Sequence, residues 1–166
     1  MTRLTSPGPT ASGTVSVTVE TPRQEEVLGL LRLGTEFAES LYPPESNFLL
    51  DVDELERPGV SVYVTRDEGG HAIGMAALVP WGMAVTELKR MFVHPDARGE
   101  GVAVGLLERM EADARAAGLR QIVLETGTLH TAAQALYTRC GYQPIPQFGQ
   151  YIGEEYSYCM AKMLSH

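Results

Sequence analysis

A glycine-rich segment, Arg98 to Ala103, constrains the fold of this chain more than any other feature of its sequence. It follows an apolar, strand-like run at 88–93 and precedes a helix-like run at 102–117. A strand, a glycine turn and the first turn of a helix together direct backbone N–H groups and the positive end of the helix dipole at a phosphate. The segment therefore predicts an anion-binding loop within an α/β unit.

Two other phosphate-binding loops do not match this segment. The dinucleotide pattern GxGxxG requires a glycine at position 104, where the chain has Val104. The nucleoside-triphosphate loop requires a Gly-Lys pair, and the chain contains none. What remains is an Arg-x-x-Gly-x-Ala loop that follows a β-strand.

Hydrophobic periodicity and turn residues predict one domain over residues 14–166, after a flexible leader at 1–13. Strand 83–93, helix 101–117 and strand 121–126 form a βαβ unit, so these two strands are predicted to be parallel. Helix 22–41, with Thr21 as its N-cap, is expected to bury a stripe that ends at Phe37. The predicted order is βααβββαβαββ, with the other strands at 14–20, 60–65, 72–79, 142–145 and 156–163, and the other helices at 51–56 and 131–140.

Composition narrows the classes of function. The net charge of −8 and the pI of about 5.0 argue against nucleic acid as a partner. The four histidines are scattered and the two cysteines form no CxxC pair, so we expect no metal site and a reduced, cytoplasmic protein. No apolar run is long enough to span a bilayer, and we expect no membrane association.

Two further features carry chemical groups. Glu87 lies on the long strand, where alternation places it with Lys89 and Met91 on one face and Leu88, Arg90 and Phe92 on the other. A carboxylate there can accept the proton of an ammonium, although an ion-paired strand glutamate is the alternative. The second feature is the segment 136–142, Leu-Tyr-Thr-Arg-Cys-Gly-Tyr, whose Tyr137 shares an apolar helix stripe and requires a hydrogen-bond partner if it is buried.

The loop at 98–103 together with the segment at 136–142 resembles the GCN5-related N-acetyltransferases (the GNAT superfamily), over about residues 14–164. The resemblance implies an α/β fold of the α+β type, a single GNAT domain. Its mixed, twisted sheet is flanked by helices and opens in a V between the splayed parallel strands 83–93 and 121–126. It also implies acetyl-CoA as the acyl donor, with CoA as product.

The resemblance implies roles for individual residues. Tyr137 would protonate the departing thiolate, or alternatively be a packing residue, while Glu87 would take the proton of the amine. A bulge, common in strand 83–93 of the superfamily, would shift the alternation around Glu87. Many members have an asparagine where this chain has His130. The implied cofactor-binding residues are Met91, Phe92, Val93, Arg98, Gly99, Glu100, Gly101, Val102, Ala103, Thr126, His130, Ala132, Ala133, Leu136 and Tyr137.

The segments 42–47 and 145–151 resemble a bacterial subgroup of small-molecule acetyltransferases, in which they flank the acceptor pocket. Tyr42, Glu45, Phe148 and Tyr151 are therefore the acceptor-site candidates. The predicted function is acetyl transfer to a primary amine of a small molecule by direct attack in a ternary complex. A CoA-binding sensor without turnover and a protein N-terminal or lysine acetyltransferase are the alternatives. Family members often dimerise, so the resemblance is also compatible with a homodimer.

Overall fold

The structure, a computed structural model, describes residues 15–165. The leader predicted at 1–13 lies outside these residues. The observed order of helices and strands agrees with the predicted one. The strands are β1 (Ser16–Val19), β2 (Ser61–Arg66), β3 (Ala72–Gly82), β4 (Val85–Val93), β5 (Gln121–Gly127), β6 (Gln143–Pro144) and β7 (Ser157–Met163), and the helices are α1 (Glu25–Leu41), α2 (Val52–Leu55), α3 (Val102–Ala116) and α4 (Thr131–Arg139).

The seven strands form one mixed sheet in the order β1-β2-β3-β4-β5-β7-β6. Strands β4 and β5 are its parallel pair, as the βαβ unit requires. Their ladder runs from Val85 opposite Gln121 to Leu88 opposite Leu124 and goes no further. Because both strands continue beyond it, they separate there, and the sheet opens at its centre as the resemblance implied.

Helices cover both faces of the sheet. On one face α3 and α4 pack over a core that includes Leu106, Met110 and Tyr137. On the other face α1 and α2 pack over Val64, Met75 and their neighbours. The opening between β4 and β5 therefore connects two separately packed layers.

A bulge interrupts β4 just past the end of its ladder with β5. Lys89 pairs with Ala77 of β3 and Phe92 pairs with Met75, so two residues of β4 lie opposite one residue of β3. Arg90, the first of these two, has φ = 58°, a left-handed conformation that is uncommon for residues other than glycine. The bulge places Arg90 on the α1 side with Glu87 and Lys89. Simple alternation, which grouped Met91 with Glu87, is wrong beyond Lys89.

Three local predictions are corrected by the structure. Helix α1 begins at Glu25, after Gln24, and Thr21 is not its N-cap. Strand β3 extends to Gly82, so Met83 is in a tight turn and 97% exposed. Phe37 is 36% exposed because the second half of α1 borders a cavity.

Strand β1 is shorter than predicted and lies at an edge of the sheet. Val15 and Val19 are about half exposed, and Val17 alone of the three valines packs on the core. Two of the three valines predicted for the buried face of this strand therefore remain exposed to solvent.

Candidate active site

The loop before α3 has the geometry of an anion-binding cradle. Gly99 has φ = 83° and Gly101 has φ = 78°, and a Cβ added at either glycine would touch nothing within 4 Å. The N–H groups of residues 99–103 donate to no acceptor within residues 15–165. Unpaired N–H groups at the start of a helix form a favourable site for a phosphate.

A cavity of about 680 Å³ starts at this loop and continues through the opening between β4 and β5. It ends among residues 41–49, which are the last residue of α1 and the segment that follows it. All the predicted cofactor-binding residues except Glu100 line it: Met91, Phe92, Val93, Arg98, Gly99, Gly101, Val102, Ala103, Thr126, His130, Ala132, Ala133, Leu136 and Tyr137. One continuous space thus joins the candidate phosphate site to the segment that was expected to contact an acceptor.

Arg98 and His130 both line the cavity. The Arg98 Nε group donates to the carbonyl of Val93 at 3.3 Å, and its guanidinium lies 5.5 Å from the Phe92 ring centroid. The ring of His130 packs 5.0 Å from that of Phe37. Burial, followed by the charge of Arg98, lowers the pKa of His130, which favours its neutral form.

Tyr137 lies on α4 and lines the cavity. It is 5% exposed, and its ring packs edge-on against that of Tyr142, with 5.7 Å between centroids. Burial raises the pKa of Tyr137 above its usual value. The phenol is therefore protonated at neutral pH and has a proton to donate.

Glu87 is buried but does not border the cavity. Its Oε2 accepts a hydrogen bond from the hydroxyl of Tyr151 and lies 3.8 Å from Lys89 Nζ. Lys89 also donates to Tyr151 Oη at 2.6 Å, and Lys89 itself lines the cavity. The carboxylate predicted to be the base is thus separated from the cavity by two other polar side chains.

A second carboxylate, which the sequence analysis missed, lines the cavity at this point. Glu125 follows Leu124, the last residue of β5 that pairs with β4, so it lies where the strands separate. Burial raises the pKa of Glu125, opposed in part by the Ser157 hydroxyl and the charge of Lys89. The sequence signal for this residue was a glutamate that directly follows the apolar run 122–124 in the same strand.

The acceptor-site candidates are not all at the cavity. Tyr42 lines it, accepts a hydrogen bond from the Leu129 N–H at 3.0 Å and packs on Tyr156, with 5.6 Å between ring centroids. Tyr151 does not line the cavity but accepts a hydrogen bond from Lys89, which does. Glu45 is exposed and Phe148 packs on Trp81, and neither lines the cavity.

Two structural features are absent from residues 15–165. No group of three histidine, cysteine, aspartate or glutamate side chains is arranged to hold a metal ion in that part of the chain. None of the helices described there is long and apolar enough to cross a membrane.

Comparison with known proteins is consistent with this geometry. A model of the acetyltransferase (GNAT) family matches residues 26–142. The IAA acetyltransferase of Azospirillum brasilense is 38% identical over 151 residues, which are 90% of this chain and 98% of the relative.

Solved structures share the same fold. A Klebsiella pneumoniae protein assigned to the acyl-CoA N-acyltransferases superposes with a TM-score of 0.77 at 30% identity, over 91% of this chain and 98% of that one. A GNAT acetyltransferase from Elizabethkingia anophelis, solved with acetyl-CoA bound, has a TM-score of 0.69 at 18% identity, over 91% and 99% of the two chains. At 18% identity the likeness concerns the fold alone.

Proposed function

We propose that this chain, which belongs to the acetyltransferase (GNAT) family, moves the acetyl group of acetyl-CoA to the primary amine of a small molecule. The observation that carries the proposal is the continuous cavity from the loop at 98–103 to Glu125. The cavity passes Tyr137 at the opening of the sheet. Acetyl-CoA and the amine can therefore meet between Tyr137, which has a proton to give, and Glu125, which can take one.

The donor end of the cavity fits the pyrophosphate of acetyl-CoA. Five N–H groups at 99–103, which have no acceptor within residues 15–165, and the N-terminus of α3 suit its negative charge, and Arg98 adds a cation to the cavity lining. The two glycines leave the loop without side chains where the anion would approach. Ala132, Ala133 and Leu136 of α4 offer an apolar wall for the rest of the donor.

Acetyl-CoA supplies a thioester carbon that a neutral amine can attack directly, with formation of the C–N bond and loss of the C–S bond. Backbone N–H groups of β4 near Phe92 and Val93 are proposed to polarise the carbonyl. Tyr137 is proposed to give its proton to the departing sulfur, because a buried phenol remains protonated until it meets a stronger base.

The proton of the amine is proposed to pass to Glu125. This carboxylate borders the cavity, and a raised pKa makes it a better base than an exposed glutamate. Glu87 is then proposed to act through Lys89 and Tyr151, whose positions it holds. This division of roles differs from the expectation that Glu87 takes the proton itself.

Titration calorimetry with acetyl-CoA, followed by an assay of thiol release with primary amines, tests the proposal. Arg98→Glu/Gly101→Asp should abolish binding because it adds two negative charges to the phosphate loop. Gly118→Asp is the matched control: Gly118 has φ = 82° after α3, with nothing near its Cβ, and does not line the cavity. Binding without thiol release from any amine would indicate a sensor, and no binding by the folded wild-type chain would refute the proposal.

A further inference from the structure

The acceptor end of the cavity contains a buried lysine with spare hydrogen-bonding capacity. Lys89 is 8% exposed and donates to the carbonyl of Phe48 at 2.9 Å and to Tyr151 Oη at 2.6 Å. An ammonium has three N–H bonds, and within residues 15–165 no third acceptor lies at hydrogen-bond distance. Glu87 Oε2, at 3.8 Å, is beyond that distance.

The next residue, Arg90, is a partly buried cation without a counter-ion among residues 15–165. Its guanidinium donates to the carbonyls of Leu50 and Leu31, both at 2.7 Å, and to Thr35 Oγ1 at 2.9 Å. In the described part of the chain, no carboxylate oxygen lies within 4.0 Å of it, and burial lowers the pKa of Arg90 to about 10. A charge that is partly removed from water and has no opposite charge beside it is unfavourable, so an anionic group here would be stabilised.

Lys89 and Arg90 line the cavity together with Glu125. Lys89 and Glu125 are the first residues beyond the paired ends of β4 and β5, Leu88 and Leu124. The end of the cavity thus has a negative group on one side of the opening and two positive groups on the other. Tyr42, Phe48 and Tyr156 supply aromatic surface around them.

We propose that the acceptor is an amine that also carries a carboxylate, as in a free amino acid. Its amine faces Glu125, and its carboxylate takes the remaining N–H bonds of Lys89 and Arg90. This inference rests on the function proposed above and names the substrate class of the same site. A zwitterion adds no net charge to the cavity and places opposite charges beside Glu125, Lys89 and Arg90, whereas a simple alkylamine pairs with Glu125 alone.

Acceptor pairs that differ only in the carboxylate test this inference. The pairs are L-phenylalanine, L-leucine and L-glutamine, each compared with its carboxamide, and kcat/KM is measured by thiol release from acetyl-CoA. For the best pair we expect the amino acid to exceed its amide by about tenfold or more, since hydrogen bonds to charged groups are worth about this much. The amine of the carboxamide is less basic, so a larger fraction of it is neutral and able to attack. A higher kcat/KM for the amino acid must therefore come from its carboxylate.

Variants of the two lysines separate recognition from general damage. Lys89→Met keeps the length of the side chain and removes its charge, and it should reduce the acid-to-amide ratio to near one. Lys89→Arg should retain a ratio above one. Lys162→Met is the matched control, because Lys162 contacts Glu111 and does not line the cavity, and it should leave the ratio unchanged.

The outcomes are distinct. An amide or a simple amine that performs as well as the amino acid in the wild-type chain would overturn the inference while acetyl transfer stands. An equal loss of both activities in Lys89→Met would also overturn it, because Lys89 would then be structural. Absence of thiol release with every acid, amide and simple amine would count against the proposed function itself.

Discussion

The hydroxyl of Tyr151 donates a hydrogen bond to the carboxylate of Glu87, a residue 64 positions earlier in the chain, and both side chains are buried. The same hydroxyl accepts from Lys89, so one phenol bridges an acid and a base. This contact joins β4 to the segment that precedes β7. It also explains why a carboxylate on the central strand does not reach the cavity.

Removal of this bridge should destabilise the fold. Tyr151→Phe leaves Glu87 without a hydrogen-bond donor among residues 15–165 and Lys89 with one acceptor fewer, and we expect a loss of about 1–3 kcal/mol in the free energy of unfolding. Urea denaturation measures it. Tyr158→Phe on β7 is the control, because in residues 15–165 its hydroxyl makes no hydrogen bond, and equal stability of the two variants would show that the bridge contributes nothing.

Glu125→Gln should separate activity from stability. We expect kcat to fall about 10²–10⁴-fold, the usual contribution of a general base, and the rise of the wild-type rate with pH through the Glu125 pKa to disappear. A raised pKa means that the folded state binds this proton more tightly than the unfolded state does, so wild-type stability falls as pH rises through the folded pKa.

Glu125→Gln should therefore be more stable than the wild type at pH 7, and this advantage should vanish below the pKa of an unfolded glutamate, about 4.3. Thermal denaturation at both pH values measures it. Glu87→Gln is the comparison, since it breaks a buried pair and should lose stability at pH 7. A kcat that falls in Glu87→Gln and not in Glu125→Gln would reverse the roles assigned to the two residues.

The order of helices and strands was predictable because hydrophobic periodicity and the glycines at turns are features of the local sequence. The loop at 98–103 could be located for the same reason, since two left-handed glycines and a helix start are features of consecutive residues. The family resemblance allowed for a bulge in strand 83–93, but its position at Arg90 was not predictable, because nothing in that residue type marks a positive φ. The bulge shifts which side chains of β4 share a face, and its position depends on pairing with β3.

The acceptor end of the cavity was predicted less well, because it depends on contacts between distant segments. Glu45 and Phe148 lie in the two predicted segments, yet neither borders the cavity, while Tyr42 does. Glu125 was not among the candidates, because strand 121–126 was assigned only as part of the βαβ unit. Glu125 lies where the parallel ladder between β4 and β5 ends. The position of that end depends on pairing between distant strands and cannot be read from the local sequence.

Tyr137→Phe should lower kcat with little change in acetyl-CoA affinity. The loss expected from removal of a general acid is about 10²-fold or more, whereas a packing role alone would leave the rate near that of the wild type. Single-turnover thiol release with a saturating amine measures the chemical step. Tyr142→Phe is the matched control: its hydroxyl bonds to Glu111 at 3.0 Å, away from the cavity, so it should affect stability and spare the chemical step.

Gly127 and Tyr42 should show compensation, because the ring of Tyr42 occupies the space where a side chain at position 127 would lie. Gly127→Ala forces the phenol away from the Leu129 N–H, and we expect a loss of about 1–3 kcal/mol from overpacking and a higher KM for the acceptor. Tyr42→Ala removes the ring that blocks a side chain at position 127, but it also loses the contacts of Tyr42 with Leu129 and Tyr156. Adding Gly127→Ala to Tyr42→Ala should then cost less than about 0.5 kcal/mol, and a full additive loss in urea denaturation would show that the two residues do not compete for one space.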